Sequence, residues 1–580
     1  MKISTGRQLT LLLLAATALF FAALGHLPLL EPDEGRNAEV AREMLVTHDY
    51  ITPHYDTLPY LDKPALFFWL VAGAFKTMGI TEFAARFPSA LMAAATMMLT
   101  WLLGRRMFGG NLPWKAAIIF ATSPLVIIFS RTVIFDMTLC FLVTVAFWAF
   151  WEAELQRAER LRWDCLAFAS MGIAAITKGP VGFLLPLFTL AAFYAARGRF
   201  RELKHVRWAA GWGVLLATAL PWFIMVSVRN PFFPKYAFWQ ESLLRFATAS
   251  SHRSGGVLYY IPVFLAGAFP WSFFVLFAGG NRWRHWRLLR TENYTAHLFL
   301  LCWVATIFVF FSISRSKLPG YFLPALPAVA LQMAWVWQDV ESSVRPPDWL
   351  TGGFATLMLI GLLVAASPQL LHIRAIRLEG LHKVPRGVFN ALPASLQLSG
   401  GILLVLGFLG RSLSHRLSGP RLARTAFLLL ALTTPLLILR WLRPIQEYVA
   451  VNSSRDLARA ILASPQRNMT VIGYYYFRTG LPFYMQRPVG LVTTDGDEIS
   501  SNYVIAQLPA MRLYPLLQNG SSNSTHLLLG STEFSTLLQS STPPFLLMLR
   551  NTHVNQVQRI APDLEPMWTG WQFSVWQVNH

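Results

Sequence analysis

Acidic side chains are scarce in this chain. Asp and Glu number 29 among 580 residues, against 49 Lys and Arg, which leaves a formal net charge of +20. Charged residues together make up 13%, where a soluble domain usually carries about 25%. Cysteine is scarcer still. Cys140, Cys165 and Cys302 all lie in apolar runs, which excludes a disulfide framework and a cysteine metal cluster. The signatures of common soluble enzymes are missing too. There is no P-loop, no G-x-G-x-x-G after a strand, no H-E-x-x-H, no G-x-S-x-G and no zinc-ligand spacing. What the chain has instead is apolar residues, 54% of the total, in repeated runs of roughly 20 residues, the length that crosses a hydrocarbon core.

The chain therefore reads as a polytopic α-helical membrane protein. Apolar runs near 9–29, 84–104, 114–130, 133–151, 164–177, 180–196, 208–228, 257–279, 297–314, 319–337, 349–366, 396–410 and 425–442 predict about 13 transmembrane helices. The first run shows no small-x-small cleavage pattern and is expected to be retained. Phe67 to Ile80 is apolar but short, which suits a helix lying at the interface. The basic residues sit mostly in short loops between runs. With Lys2 and Arg7 on the cytoplasmic side, alternation collects Arg105, Arg106, Arg157, Arg160, Arg199, Arg201, Arg282, Arg284, Arg411 and Arg416 on that side as well, as the positive-inside rule requires. The positive charge thus follows topology and some of it meets anionic lipid; no nucleic-acid partner is implied. The odd helix count leaves residues after about 442 on the far side, the periplasm of a bacterial inner membrane. The expected division is a membrane part, 1–442, with a first periplasmic loop at about 30–82, and a small C-terminal periplasmic α/β domain, 443–580. In that last stretch, Met469–Tyr476, Val489–Thr493 and His526–Gly530 are β-rich.

The densest acids lie in Leu30–Leu66, with Asp33, Glu34, Glu39, Glu43, Asp49, Asp56 and Asp62 among Arg36, Arg42 and Lys63. Glu39 and Glu43, four apart with Arg36 and Arg42 nearby, are expected as ordinary helix-surface pairs. Asp33 follows a proline and opens a helical stretch, so it is either an N-cap or a catalytic carboxylate. Asp136 at the start of the fourth membrane helix raises the same alternatives, with Arg131 as its cap partner. Lys63 precedes a proline and must be extended. The expected topology puts Asp33 and Asp136 on the far side together with Lys63, Arg131, Lys178, Arg245, His252, Arg253, Arg315 and Lys317. Cations on the side where the positive-inside rule disfavours them, facing a few carboxylates, are what binding and reacting a lipid phosphate requires. Ser314–Tyr321 joins two helices with two cations and small residues, and is expected to act as a phosphate clamp.

Glu31-Pro32-Asp33-Glu34-Gly35-Arg36, then Leu61-Asp62-Lys63-Pro64, Glu82–Ala90 and Phe311–Pro324 with its Ser314-Arg315-Ser316-Lys317-Leu318-Pro319 resemble the aminoarabinose transferase family. That family is a branch of the protein O-mannosyltransferase-like glycosyltransferases with the GT-C fold. The resemblance covers roughly the first 340 residues. It implies a GT-C inner-membrane transferase that takes a sugar from a polyprenyl-phosphate donor, aminoarabinose on undecaprenyl phosphate, and places it on a lipid A phosphate or another periplasmic acceptor. By motif position it implies Asp33 and Asp136 as catalytic residues. Lys63, Arg315, Lys317, Tyr321 and Arg245 fall to the donor phosphate. Arg131, Lys178, His252 and Arg253 are candidate acceptor-binding residues. Two positions depart from the family pattern. Asp62 stands where a glutamate is common, and the loop from Glu241 to Arg253 lacks a histidine before Arg-Phe. The metal is left open: a divalent ion is compatible with these residues, and no cofactor is certain. A hydroxyl-acceptor O-mannosyltransferase-like enzyme is the nearest alternative. A lipid-linked sugar flippase is the alternative from another class, disfavoured because the charges sit at helix ends and in loops rather than near a midplane.

Overall fold

A computed structural model describes residues 4–244, 255–282, 294–371, 385–512, 528–539, 544–558 and 564–578. A helix stands in each of the 13 predicted stretches. Seven of the described helices are long and apolar enough to cross a membrane, or up to eight if the bent pair Leu112–Thr122 and Pro124–Ser130 is one span. The break in that pair follows from Pro124, which opens the second piece and cannot continue the hydrogen-bond ladder of the first. Other prolines, among them Pro88, Pro221 and Pro435, stay inside long helices. Membrane helices tolerate this because neighbouring helices satisfy the freed carbonyls.

The chain forms two compact units. The first comprises Met1–Leu24, Arg86–Ile224 and Ala237–Ile445. Its helices close on one another through small residues. A Cβ on Gly400 would lie 2.5 Å from the Ala365 amide nitrogen and 2.5 Å from the Gly361 carbonyl oxygen. The helices Asp348–Leu371 and Arg386–Arg416 thus meet backbone to backbone, the means by which helices associate where lipid removes the hydrophobic drive. Gly179, at φ +75°, ends the helix Arg160–Lys178, and Gly182 lets the returning helix Val181–Ala196 touch the Ala174 backbone. Several cations in this unit are matched by carboxylates on other helices. Arg106 pairs with Glu152, Lys115 with Glu341, and Arg160 with Glu154.

The second unit comprises Gly25–Ala85, Met225–Tyr236 and Gln446–His580. The first loop holds the helix Asp33–Thr47, a hairpin of β1 (His54–Tyr55) and β2 (Leu58–Pro59), and the short apolar helix Leu66–Met78. The C-terminal stretch builds a six-stranded sheet from β3 (Val471–Tyr474), β4 (Gly490–Val492), β5 (Leu528–Leu529), β6 (Phe545–Arg550), β7 (Leu564–Thr569) and β8 (Phe573–Val578). The order is β5-β4-β3-β6-β8-β7. Strands β3 to β6 run parallel and β8 and β7 are antiparallel additions. All four residues of β3 are buried, as a strand covered on both faces requires. Its core gathers Ile472, Tyr474, Val492, Phe534, Phe545, Leu547, Leu549 and Val578. The β-rich runs of the sequence became β3, β4 and β5, while β6 to β8 carried no sequence signal.

Candidate active site

In the first unit, Asp136 opens the helix Asp136–Leu155, whose N-cap position is held by Phe135. Its partner is Lys178 at the end of the helix Arg160–Lys178, with Nζ 2.5 Å from Oδ1. The two side chains are 8% and 10% exposed. Arg131 is not the partner. Its guanidinium donates to the carbonyls of Leu19, Phe20 and Ala22 and so closes the end of the first helix, where a cation meets the negative pole of the helix dipole. The Lys178 ammonium also lies 4.3 Å from the centroid of the Tyr321 ring and 5.1 Å from that of Phe135, within reach of a cation–π attraction. Gly320 makes this approach sterically feasible. A Cβ there would sit 3.0 Å from Asp136 Oδ1 and 2.6 Å from the Phe129 ring.

The turn that delivers Tyr321 is built around Lys317. Its Nζ donates to the carbonyl oxygens of Phe311 at 2.8 Å, Ser312 at 2.6 Å and Ser314 at 2.5 Å. All three donors of the ammonium are thereby engaged with the end of the helix Thr295–Ile313. Arg315 beside it is exposed. Ser312 and Ser316 bury hydroxyl oxygens that find no partner among the described residues.

In the second unit, Asp33 is the first residue of its helix, one past the N-cap position, which falls to Pro32. Arg36, one turn on, donates to Asp33 Oδ1 at 2.5 Å, and the Asp33 side chain remains 41% exposed. The other arm of Arg36 donates to the Ser500 carbonyl at 2.8 Å, and the guanidinium stands 5.6 Å from the Tyr60 centroid. The fork thus holds an accessible carboxylate in one orientation. Lys63 is half-buried, and its Nζ donates to the Asp62 carbonyl at 2.9 Å. The Asp62 carboxylate accepts from the Tyr236 hydroxyl at 2.5 Å and from the Tyr503 and Asn502 amides at 2.8 and 3.1 Å. It therefore caps the helix Asn502–Arg512.

Glu39 and Glu43 correct the expectation of a surface pairing. Glu39 is 0% exposed and Glu43 is buried. Glu39 grips Arg42 through two contacts of 2.7 Å, and the Thr57 amide donates to both Glu43 oxygens at 3.1 Å. Asp56 accepts from the Val489 amide at 2.9 Å. Burial, with Glu39 and Asp56 adding repulsion, pushes the Glu43 carboxyl up to about 9. Burial also drives Asp56 well above the usual carboxylate range. The spacing of Glu39 and Glu43 identified Arg42 as a partner correctly. It carried no trace of the C-terminal residues that cover this helix. Glu31 is a further buried carboxylate, joined to Arg478 at 2.9 Å, to the Gly480 amide and to the Ser454 hydroxyl. Arg245, His252 and Arg253 lie outside the described residues. Among the described residues, no three His, Cys, Asp or Glu side chains gather into a group able to hold a metal ion.

The sequence pattern of the family described as Dolichyl-phosphate-mannose-protein mannosyltransferase matches residues 9–237. Two curated relatives are both named undecaprenyl phosphate-alpha-4-amino-4-deoxy-L-arabinose arabinosyl transferases. The protein of Erwinia tasmaniensis is 32% identical over 327 residues, which is 55% of this chain and 58% of that protein. One from Proteus mirabilis is 32% identical over 352 residues, 59% of this chain and 62% of that protein. The chain thus matches about three fifths of the length of these relatives. Among solved structures, the aminoarabinose transferase ArnT of Cupriavidus metallidurans bound to undecaprenyl phosphate superposes with a TM-score of 0.82 at 24% identity, covering 99% of each chain. Its apo form gives 0.80 at 23% identity over 98% of each. The chain has that GT-C membrane fold along its whole length.

Proposed function

We propose that this multi-pass membrane protein is a glycosyltransferase that moves aminoarabinose from undecaprenyl phosphate to a phosphate of lipid A at the periplasmic face. The reading rests on the named activity of the relatives over the stretch they share with this chain. The Asp136–Lys178–Tyr321 group is buried, charged and preformed. The basic loops support a cytoplasmic N-terminus, which places Asp33, Asp136 and the C-terminal sheet on the periplasmic side. Nucleotide sugars are cytoplasmic, so a transferase facing away from them needs a lipid-carried donor.

In this reaction the anomeric carbon–oxygen bond breaks and its electron pair leaves with the carrier phosphate. An oxygen of the acceptor forms the new bond. Lys63 and Arg315 are the cations assigned to the growing charge on the leaving phosphate, and the Ser312 and Ser316 hydroxyls are further donors on the same turn. Lys317 fixes the backbone from which Arg315 and Tyr321 project. Asp33, oriented by Arg36, favours positive charge at the sugar and positions the donor. An acceptor phosphate is already anionic and asks little of a base. Lys178 balances Asp136 and is the cation offered to the acceptor. Mass spectrometry of lipid A from cells with and without the protein tests the reading. The expected result is one added aminopentose on a phosphate, lost in Asp33→Asn. A folded Asp33→Asn protein with near wild-type transfer would sink the role given to Asp33. The match to the mannosyltransferase pattern favours, as a second reading, a hydroxyl acceptor. Unmodified lipid A together with a glycosylated protein or other hydroxyl product would select it.

A further inference from the structure

Strands β3, β4, β5 and β6 run parallel, so their carboxyl ends share one edge of the sheet. Chain order reverses at that edge. From β3 the chain steps outward to β4 and β5, then returns to β6 on the other side of β3. In open parallel sheets the edge where strand order reverses is where ligands bind. The β7–β8 hairpin brings its turn to the same edge, because β8 is antiparallel to β6 and β7 antiparallel to β8.

The side chains at this edge combine aromatic rings with polar and charged groups. Tyr475, just past β3, is held at φ +46°. A bulky side chain adopts this left-handed conformation only at a cost of order 1–3 kcal/mol, and such strain tends to collect at functional sites. Its hydroxyl accepts from Thr494 at 3.4 Å, on the loop after β4. Tyr476 is half-buried, and Arg550, the exposed last residue of β6, holds its guanidinium 5.3 Å from the Tyr476 centroid. Asn551 donates to the Gly570 and Trp571 carbonyls and ties the β6 loop to the hairpin turn. Trp571 in that turn is 41% exposed. Asp495 is exposed beside Thr494. His553 buries a ring nitrogen, Nδ1, that has no hydrogen-bond partner among the described residues. Flat aromatic faces stack against the C–H faces of a pyranose ring. Hydroxyl, amide and carboxylate groups at their margin bond its hydroxyls. An exposed arginine fork matches a phosphate.

We propose that the carboxyl edge between β3 and β6 is a binding site for a phosphorylated saccharide, formed by Tyr476, Arg550 and Trp571. In this protein its occupant is the phosphosugar headgroup of the acceptor glycolipid, an assignment that rests on the function proposed above. The test uses the full chain in lipid nanodiscs and saturation-transfer NMR with glucosamine 1-phosphate as probe, with glucosamine and inorganic phosphate as competitors. The expected result is transfer to the sugar-ring protons that weakens about tenfold in Arg550→Gln, the loss of one charge-assisted hydrogen bond, and that also falls in Trp571→Ala. Inorganic phosphate should displace the probe only weakly. Thermal melting of each variant reports that the sheet is intact, and the exposed Arg550 and Trp571 are chosen because their replacement spares the core. An equal signal in wild type and both folded variants overturns the site. Complete displacement by inorganic phosphate also overturns it, leaving an anion site without a sugar. In transfer assays the variants should raise the acceptor KM by more than they lower kcat. If lipid A is never modified while the variant-sensitive signal persists, the acceptor assignment falls and the saccharide site stands. If lipid A is modified and the signal is absent, the saccharide site falls and the function proposed above stands.

Discussion

At the scale of single residues, the carboxylates of this chain divide by what holds them. Asp136 is matched by Lys178 at close range with both side chains nearly buried. Removing one member of such a pair strands the other charge, at a cost of about 3–5 kcal/mol. Lys178→Ala should therefore lower the melting temperature markedly, and adding Asp136→Asn should recover most of that loss without recovering transfer. A double-mutant cycle read by both melting and transfer separates the two roles. Glu43 is held in the opposite sense. Its folded carboxyl titrates near 9, raised by burial and by Glu39 and Asp56, so the folded protein keeps a proton that the unfolded chain releases near 4. The stability tied to that proton is complete at low pH and is lost as pH climbs through about 9. Melting temperature should fall from pH 6 to pH 9, and Glu43→Gln should flatten part of that fall. An unchanged slope in the variant would place the titration elsewhere. Asp33 and Asp136 were both legible in the sequence as helix-opening acids. That Asp136 is paired with Lys178 was not legible, because a partner 42 residues away leaves no local pattern.

At the scale of elements, helices were easy to read and strands were not. An apolar run of spanning length has few other uses, so every stretch predicted to be a membrane helix is helical, and seven or eight of the described helices are long and apolar enough to span. Strand β6 is a short apolar run that periodicity cannot distinguish from a helix. Strand β7 contains Pro566 and an irregularity between Pro566 and Trp568, features that argue against a strand unless it lies at an edge, where β7 is. Contacts between helices were also invisible in a run of apolar letters. Gly400 and Gly401 look alike in sequence, yet a Cβ on Gly400 collides with backbone while one on Gly401 meets nothing within 4 Å. Gly400→Leu should separate the helices Asp348–Leu371 and Arg386–Arg416, at a cost of about 3 kcal/mol or more. Gly401→Leu should be tolerated. Equal melting temperatures for the two variants would contradict the close packing.

At the scale of the whole molecule, the second compact unit joins residues 446–580 to the first loop. The reason is polar as much as apolar. Within that unit Glu31 is met by Arg478, Asp56 by the Val489 amide and Asp62 by the Asn502 and Tyr503 amides. Gly35 and Gly480 approach so closely that a Cβ on Gly35 would sit 2.5 Å from the Gly480 Cα. None of these partnerships has a sequence signature, since each joins ordinary residues more than 400 positions apart. Residues 446–580 produced alone should consequently lack a fixed structure and be digested rapidly by protease. A fusion that supplies 25–85 through a flexible linker should gain protection. A stable, well-dispersed fragment of 446–580 by itself would refute this interdependence.

The same three-segment construction sets a timetable for synthesis. Residues 25–85 are made early, and their covering partners begin about 360 residues later. At about 5–20 residues per second, Glu31 and Asp56 wait roughly 20–70 s before the chain that carries Arg478 and Val489 is translated. The last-made segment therefore works as a completion signal. A ribosome that stops short of it leaves an open acidic loop, a visible mark of an unfinished molecule for any protease that patrols the membrane surface.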